Sequence, residues 1–558
     1  MDKKTKWSLG IGSILLLVLL MNGHQMATKL FGAAKYQNAH MNPGNVTVPV
    51  ARTLPWKTHS AFADSICSNW ASLSLSDKAL DGKGIAPRIL LAKLWMKRDI
   101  PEVNKTILKL QVWGVSGSSW ALNKKGDYDF SITIYTTILY LFGNQPDLLY
   151  PETKDYLLKV LLVEEGNLFR TTAPRTLGLV RETENHVLMT EGSRYLKNRW
   201  LANHGEKDSK YDNLKNGMEE KLMAFMDEMR TDGLYEFNSL PYIGYTITAL
   251  LNLEAFGSEK LRAEAREVLD FMNWSYALGS YQLKHYPPMR RRYEKAGITE
   301  ITTDYQSVFM KSWLSFSPVQ HFNKNIHSGE VHAVMGAIMP YRPADKVVET
   351  IFDKGDGYFV QMGHGQESSP EIYSAGKKSL LSAGGVNRGK RSIIVARPIC
   401  LFLNEDAENL SAIFHLAGPG TDFMKWNNTG VFKNFACAAG PVFVPDEYKT
   451  AAGNENWRIY TTKDSLLIAV HSTLNFGILA LFNHQSPDEL VKKLAEANPD
   501  PEKLKSSFQF PVGAKIEYEV LAPKDKWVIT GVDGKPVDRE YDKWPLIEGE
   551  LLNRPKHE

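Results

Sequence analysis

The stretch RETENHVLMTEGSRYLKNRW, positions 181 to 200, sets Asn185 and His186 side by side among three glutamates, three arginines and a tyrosine. Glu182 and His186 stand one helical turn apart, so a carboxylate can hold the imidazole for acid–base or orienting work. The same pattern suits an ordinary helix start, with Thr183 or Glu184 near the cap and His186 in solvent. His186 and Tyr195 are nine positions apart, two and a half turns at ~3.6 residues per turn, so one straight helix sends them to opposite sides. They meet only if the chain bends between them, and Gly192 is the natural place. Arg194 then lies beside Tyr195.

Two further segments carry reactive types. YEFNSLPYIGYTITAL sets Asn238, Tyr242 and Tyr245 at the entry to an apolar helix, where rings either stack on sugars or pack the helix start. YQLKHYPPMRRRYEKAGITEITTDY holds His285, Arg290, Arg291, Arg292, Tyr293 and Tyr305. Pro287 and Pro288 break any helix there, so the arginines fall on a loop or short turn. They are either a solvated basic surface or bidentate clamps for carboxylate or sulfate. Asp127 and Asp129 precede an apolar helix as a carboxylate pair or as a turn and cap. His364 and Glu367 follow in a loop-rich stretch. His321, His327 and His332 are scattered, without metal-ligand spacing, and no metal or cofactor is expected.

The elements that must position these residues follow from periodicity. The chain has 558 residues and is 43% hydrophobic, enough for a large core and more than one domain. Its net charge of +3 gives no reason to expect a nucleic-acid partner. From about 60 to 335, segments such as EKLRAEAREVLDFMNWSYALG repeat apolar residues at three- and four-residue spacing, as helical hairpins do. The texture changes near Pro340. From about 345 to 558, runs such as RSIIVARPICLFL, SLLIAVHST and FGILALF alternate with turn signals and predict an antiparallel β-sandwich, with SPDELVKKLAEANPDPEKLKSS as a helical insertion. The fold class is therefore α+β multidomain. The helical part is a bundle, a solenoid or a closed toroid.

Residues 1–34 begin with MDKKTKW and the apolar run SLGIGSILLLVLLM, the layout of an export signal. That run is short of the roughly 20 residues a membrane-spanning helix needs. The expected location is export, to the periplasm or beyond, with N-terminal membrane anchoring as the alternative. Residues 35–59 read as an extended arm. Cys67, Cys400 and Cys437 lack paired spacing; Cys400 and Cys437 either pair or, with Cys67, stay buried thiols.

The Asn185–His186 pair in a helical domain resembles the toroid alginate lyases, where such a pair contacts the substrate carboxylate. The spacing His186…Gly192…Tyr195 is similar to that in the chondroitin AC, hyaluronate and xanthan lyases. Those enzymes join an incomplete α/α toroid to a C-terminal antiparallel β domain, the order read here. The Trp-rich and Gln-His motifs of the chondroitin and hyaluronate group are not evident. The resemblance implies an α/α toroid and a polysaccharide lyase acting on an anionic, uronic-acid-containing polymer. The catalytic set would come from Asn185, His186, Tyr195, Tyr242 and Tyr293. Substrate contacts would come from Glu182, Arg194, Asn238, Tyr245, Arg290, Arg291 and Arg292. Two other readings stay open. One is a glycoside hydrolase using two of Asp127, Asp129, Glu182 and Glu184; the other is a non-catalytic carbohydrate-binding or cell-envelope protein.

Overall fold

The computed structural model describes residues 48–549, apart from 57, 76–83, 120–123, 241, 292–295, 303, 320–321, 323, 325–330, 365–369, 386–393, 406, 419–426, 484–485 and 542–543. The N-terminal segment and most of the arm lie outside these residues. So do Arg292, Tyr293, His321, His327 and Glu367.

The first half is helical. Its helices are α1 (Ala61–Ala71), α2 (Ile85–Trp95), α3 (Ile100–Ile107), α4 (Asp129–Phe142), α5 (Pro151–Tyr156), α6 (Glu184–Asn203), α7 (Met218–Asp232), α8 (Ile243–Phe256), α9 (Glu259–Gly279), α10 (Tyr305–Leu314), α11 (Ala333–Ile338) and α12 (Asp345–Phe352). α12 falls where the β half was expected to begin. Helix starts follow local chemistry: Ser258 Oγ accepts from Leu261 N at 3.3 Å, and Asp304 Oδ1 from Ser307 N at 2.8 Å. α4, α6 and α8 pack on one another, and α8 also packs on α9. The end of the arm is tied to this body. Arg52–Thr53 pairs with Tyr341–Arg342, and Ala51 N donates to Asp270 Oδ2 at 3.0 Å.

The second half is antiparallel sheet. A seven-stranded sheet runs Val442–Phe443, Phe414–Leu416, Ile399–Leu403, Ser379–Gly384, Glu371–Gly376, Tyr358–Met362, Glu548–Gly549. A six-stranded sheet runs Val431–Phe432, Phe435–Ala438, Phe476–Phe482, Leu467–Thr473, Arg458–Thr461, Thr450–Gly453, and a four-stranded sheet covers Ser507–Pro536. The expected helical insertion is α13 (Pro487–Ala497). Tyr358–Met362 is a strand within the stretch read as loop-rich.

The period of two along the seven-stranded sheet serves two cores. Phe359, Ile372, Leu381 and Leu401 join the six-stranded sheet's core. Tyr358, Val360, Tyr373, Leu380 and Phe402 join the helical core. One sheet thus fastens the helices to the rest of the β structure. Cys67, Cys400 and Cys437 are free and buried. Among the described residues, no helix is long and apolar enough to cross a membrane.

Candidate functional site

His186 is 3% exposed and its Nδ1 lies 2.6 Å from Asp129 Oδ2. The two residues come from the first turns of α6 and α4. Burial alone lowers the imidazole pKa, but the Asp129 carboxylate, with Glu182 and Asp127 behind it, overrides this and lifts it to about 9. His186 is therefore an imidazolium at neutral pH. Asp129 is neither a cap nor half of a free carboxylate pair; it orients and charges the histidine.

Stacked rings extend the site. Phe130 stacks on His186 at 5.5 Å and on Tyr245 at 4.1 Å. Tyr245 meets His332 edge-on at 4.6 Å, and the Arg88 guanidinium stands 5.6 Å from the Tyr245 ring centre. His332 packs 4.7 Å from Tyr305. It reaches this position because residue 244 is glycine: a Cβ there would lie 2.4 Å from the His332 ring. Burial and nearby Arg88 push the His332 pKa well down, so this imidazole is neutral. Arg88, Asp129, His186, Tyr245 and Tyr305 all lie in the opening turns of their helices. Five helix N-termini thus present their positive ends to one place.

The loop Tyr235–Asn238 closes the other side. Glu236 N donates to Glu184 Oε1 at 2.6 Å, which anchors the loop to the start of α6. Arg290 N donates to Phe237 O at 3.0 Å, and the Arg290 guanidinium lies 3.7 Å from the Tyr235 ring centre. Arg291 pairs with the Glu236 carboxylate and stands 4.9 Å from the Tyr242 ring centre. Phe237 stacks on His364 at 4.3 Å, and His364 Nε2 lies 2.5 Å from Glu371 Oε1. Tyr373 OH also bonds Glu371, as does Asn238. The β half thereby holds the site loop.

The carboxylates divide into two kinds. Glu182 is occupied by Ser118, whose backbone N donates at 2.9 Å and whose hydroxyl donates as well. Glu184 and Glu236 are both buried; burial and then the Glu236 charge raise Glu184, while burial and then the Glu182 charge raise Glu236. Arg291 and His186 pull Glu236 back. Among the described residues, Asp129 Oδ1, Glu184 Oε2, Asn185 Nδ2 and Glu236 Oε2 are buried with no hydrogen-bond partner. Asn185 Oδ1 accepts from Thr183 Oγ1. Single partnerless buried atoms also occur elsewhere among the described residues, at Trp313, Arg342 and Trp457 for example; here four of them lie on residues around one charged imidazole.

The structure therefore gathers Glu182, Asn185, His186, Tyr242, Tyr245, Arg290 and Arg291, with Asn238 on the adjoining loop. It does not gather Tyr195 or Arg194. α6 runs unbroken through Gly192, where a Cβ would find only ordinary contact with Leu253 at 3.5 Å. On this straight helix Tyr195 is fully buried elsewhere; its hydroxyl donates to Glu219 Oε2 at 2.7 Å and accepts from Ser258 N at 3.2 Å. Burial pushes its phenol up to about 12. Arg194 donates to Glu191 Oε2 at 2.8 Å, to Glu165 O at 2.6 Å and to Glu164. Both are structural here.

Arg88, Phe130, Glu236 and Glu371 were not foreseen. Glu236 sits next to residues singled out at the helix entry, but a lone glutamate in YEFN carries no distinguishing signal. Among the described residues, no cluster of His, Cys, Asp and Glu is arranged to hold a metal ion. An aromatic groove of about 740 Å³, walled by Trp56, Trp95, Tyr140 and Phe256, opens at the C-terminal ends of α2, α4 and α8, away from these groups. No family model matches the chain, and no curated protein matches it.

Proposed function

We propose that the protein is an exported polysaccharide lyase, cutting a uronic-acid-containing polysaccharide by β-elimination. In this reading the helical hairpins form an α/α toroid and the paired sheets a β-sandwich. The observation that carries it is the pairing of an imidazolium, His186 on Asp129, with the partnerless amide Nδ2 of Asn185. The C5 hydrogen of a uronate is hardly acidic while the adjacent carboxylate keeps its charge. A cation and a hydrogen-bond donor at that carboxylate stabilise the enolate-like transition state.

Of the tyrosines considered as base, Tyr242 fits best. It caps α8, is half-buried rather than sealed, and has Arg291 over its ring, where a cation stabilises charge developing on the phenol oxygen. Tyr245 is buried between Phe130 and His332, and burial pushes it up to about 12, which suits a wall. As the phenolate, Tyr242 takes the C5 proton and becomes the phenol, and the C5–H electron pair becomes the C4–C5 double bond. The C4–O bond breaks, and the departing oxygen takes a proton back from the Tyr242 phenol. Arg290 and Arg291 suit neighbouring acidic sugars.

One observation favours a glycoside hydrolase instead. Glu184 and Glu236 are both pushed toward protonation, as a glycosidase acid is. The products decide. On a panel of uronic-acid polymers, elimination gives new ends that absorb in the ultraviolet through the conjugated double bond. Hydrolysis gives new reducing ends without that absorbance, and a binding protein gives neither.

A further inference from the structure

A cleft of about 350 Å³ opens between the seven- and six-stranded sheets, far along the strands from His364. Strand Glu371–Gly376 begins at the site-facing Glu371 and ends at the cleft, a run of about 17 Å at ~3.4 Å per residue. Two tight hairpin turns form its rim. Lys377 and Lys378 link Gly376 to Ser379 in one sheet; Lys433 and Asn434 link Phe432 to Phe435 in the other. The floor carries the buried Ser374 and Ser379, and Asn483 stands at the edge. Three lysines face a single lining carboxylate, Asp356.

The turn residues are an odd choice. Two-residue hairpin turns favour Asn and Gly because they need positive φ. Lys433 holds φ +48° at such a turn, a conformation a lysine adopts at a cost. Lys378 is partly spent, since its Nζ donates to the Asp464 carbonyl. Lys377 and Lys433 are exposed at the rim, and the Lys433 ammonium also stands 5.6 Å from the Phe432 ring centre. Ammonium groups, amide side chains and serine hydroxyls around one cleft match the oxyanions and hydroxyls of an acidic sugar.

We propose that this cleft is a second saccharide-binding site, which holds an acidic stretch of polymer through its carboxylate or sulfate groups. This rests on the reading of the protein as one that acts on anionic polysaccharide, but it is tested without cleavage. The full chain and its Lys377→Ser/Lys433→Ser variant are run in affinity gels containing polygalacturonate, dextran sulfate or neutral dextran. The proposal expects an acidic polymer to retard the native protein, neutral dextran not to, and the double variant's apparent dissociation constant to rise roughly tenfold. The carboxylated and sulfated gels show which oxyanion is preferred. Lys433→Asn is the second variant. It suits the turn better, so it should melt no lower than the native protein and still bind more weakly. Turnover on a short acidic oligosaccharide too small to reach the cleft should be unchanged in both variants. Equal retardation of native and variant proteins overturns the proposal, and so does loss of oligosaccharide turnover in step with binding. Lysine-dependent binding without any cleavage would leave the cleft standing and remove the lyase reading.

Discussion

Two turns of the same helix bury polar side chains in opposite ways. In the first turn of α6, Glu184 and Asn185 each keep a buried polar atom with no partner among the described residues, beside the charged His186. Two turns later, Arg194, Tyr195, Lys197 and Asn198 are as deeply buried but fully engaged. Lys197 Nζ donates to Leu162 O at 2.6 Å and to Glu165 Oε2 at 2.7 Å. Asn198 bonds both polar groups of Gly166 and the side chain of Asn213. Burial of polar residues therefore does not single out chemistry. Nor does a single partnerless atom, since Thr190 and Glu191 of the same helix carry one each; what sets the first turn apart is several such atoms around a buried imidazolium.

The comparison can be broken by substitution. The largest effect is expected at Tyr242. Tyr242→Phe should lower kcat on a cleaved uronate polymer by roughly 10³-fold, as loss of an acid–base group does, with an unchanged circular dichroism spectrum. Near-native turnover would take the base elsewhere. Farther along α6, Arg194→Met removes one of the two cations on Glu191 and Glu164 and leaves Arg170 as the other. It should cost about 2–3 kcal/mol in denaturant unfolding, less than a fully unpaired buried charge, and leave kcat per folded molecule alone. A selective loss of kcat at full stability would put Arg194 in the site after all.

The His186–Asp129 pair has a definite pH signature. A histidine raised above its unfolded value of ~6.5 contributes stability that is complete below that pH and lost as pH rises through about 9. Activity should fall over the same alkaline range. In Asp129→Asn the imidazole loses its counter-charge, so the alkaline limb of the pH–rate profile should move to lower pH, with turnover at pH 8 down roughly tenfold or more. An unmoved limb would mean that Asp129 only packs. The smallest effect is expected at Tyr195. Removing one hydroxyl in Tyr195→Phe should cost about 1–3 kcal/mol of stability through Glu219, and nothing in kcat.

Elements were legible because their periods are local. The apolar spacing of EKLRAEAREVLDFMNWSYALG matches α9 from Glu259 to Gly279, and the run FGILALF is the strand Phe476–Phe482. Tyr358–Met362 escaped because glycines and a following loop diluted its short alternation. The site was legible in part. Asn185, His186, Tyr242, Tyr245 and the Arg290–Arg291 segment stand out by type. Their partners do not: Asp129 is 57 positions from His186, and Arg88 touches Tyr245 only through tertiary packing. Gly192 misled for a physical reason. Glycine permits a bend but does not impose one, and here it lies in contact range of Leu253 inside a straight helix.

The most direct test of the central claim is His186→Gln, assayed by ultraviolet absorbance on a polymer the native protein cleaves, with a melting curve of the same sample. Glutamine can still donate to Asp129, so the buried carboxylate keeps a partner while the site loses its cation. The account predicts a fall in turnover of about 10²–10³-fold with the folded state retained. A folded His186→Gln protein that turns over at the native rate would contradict it.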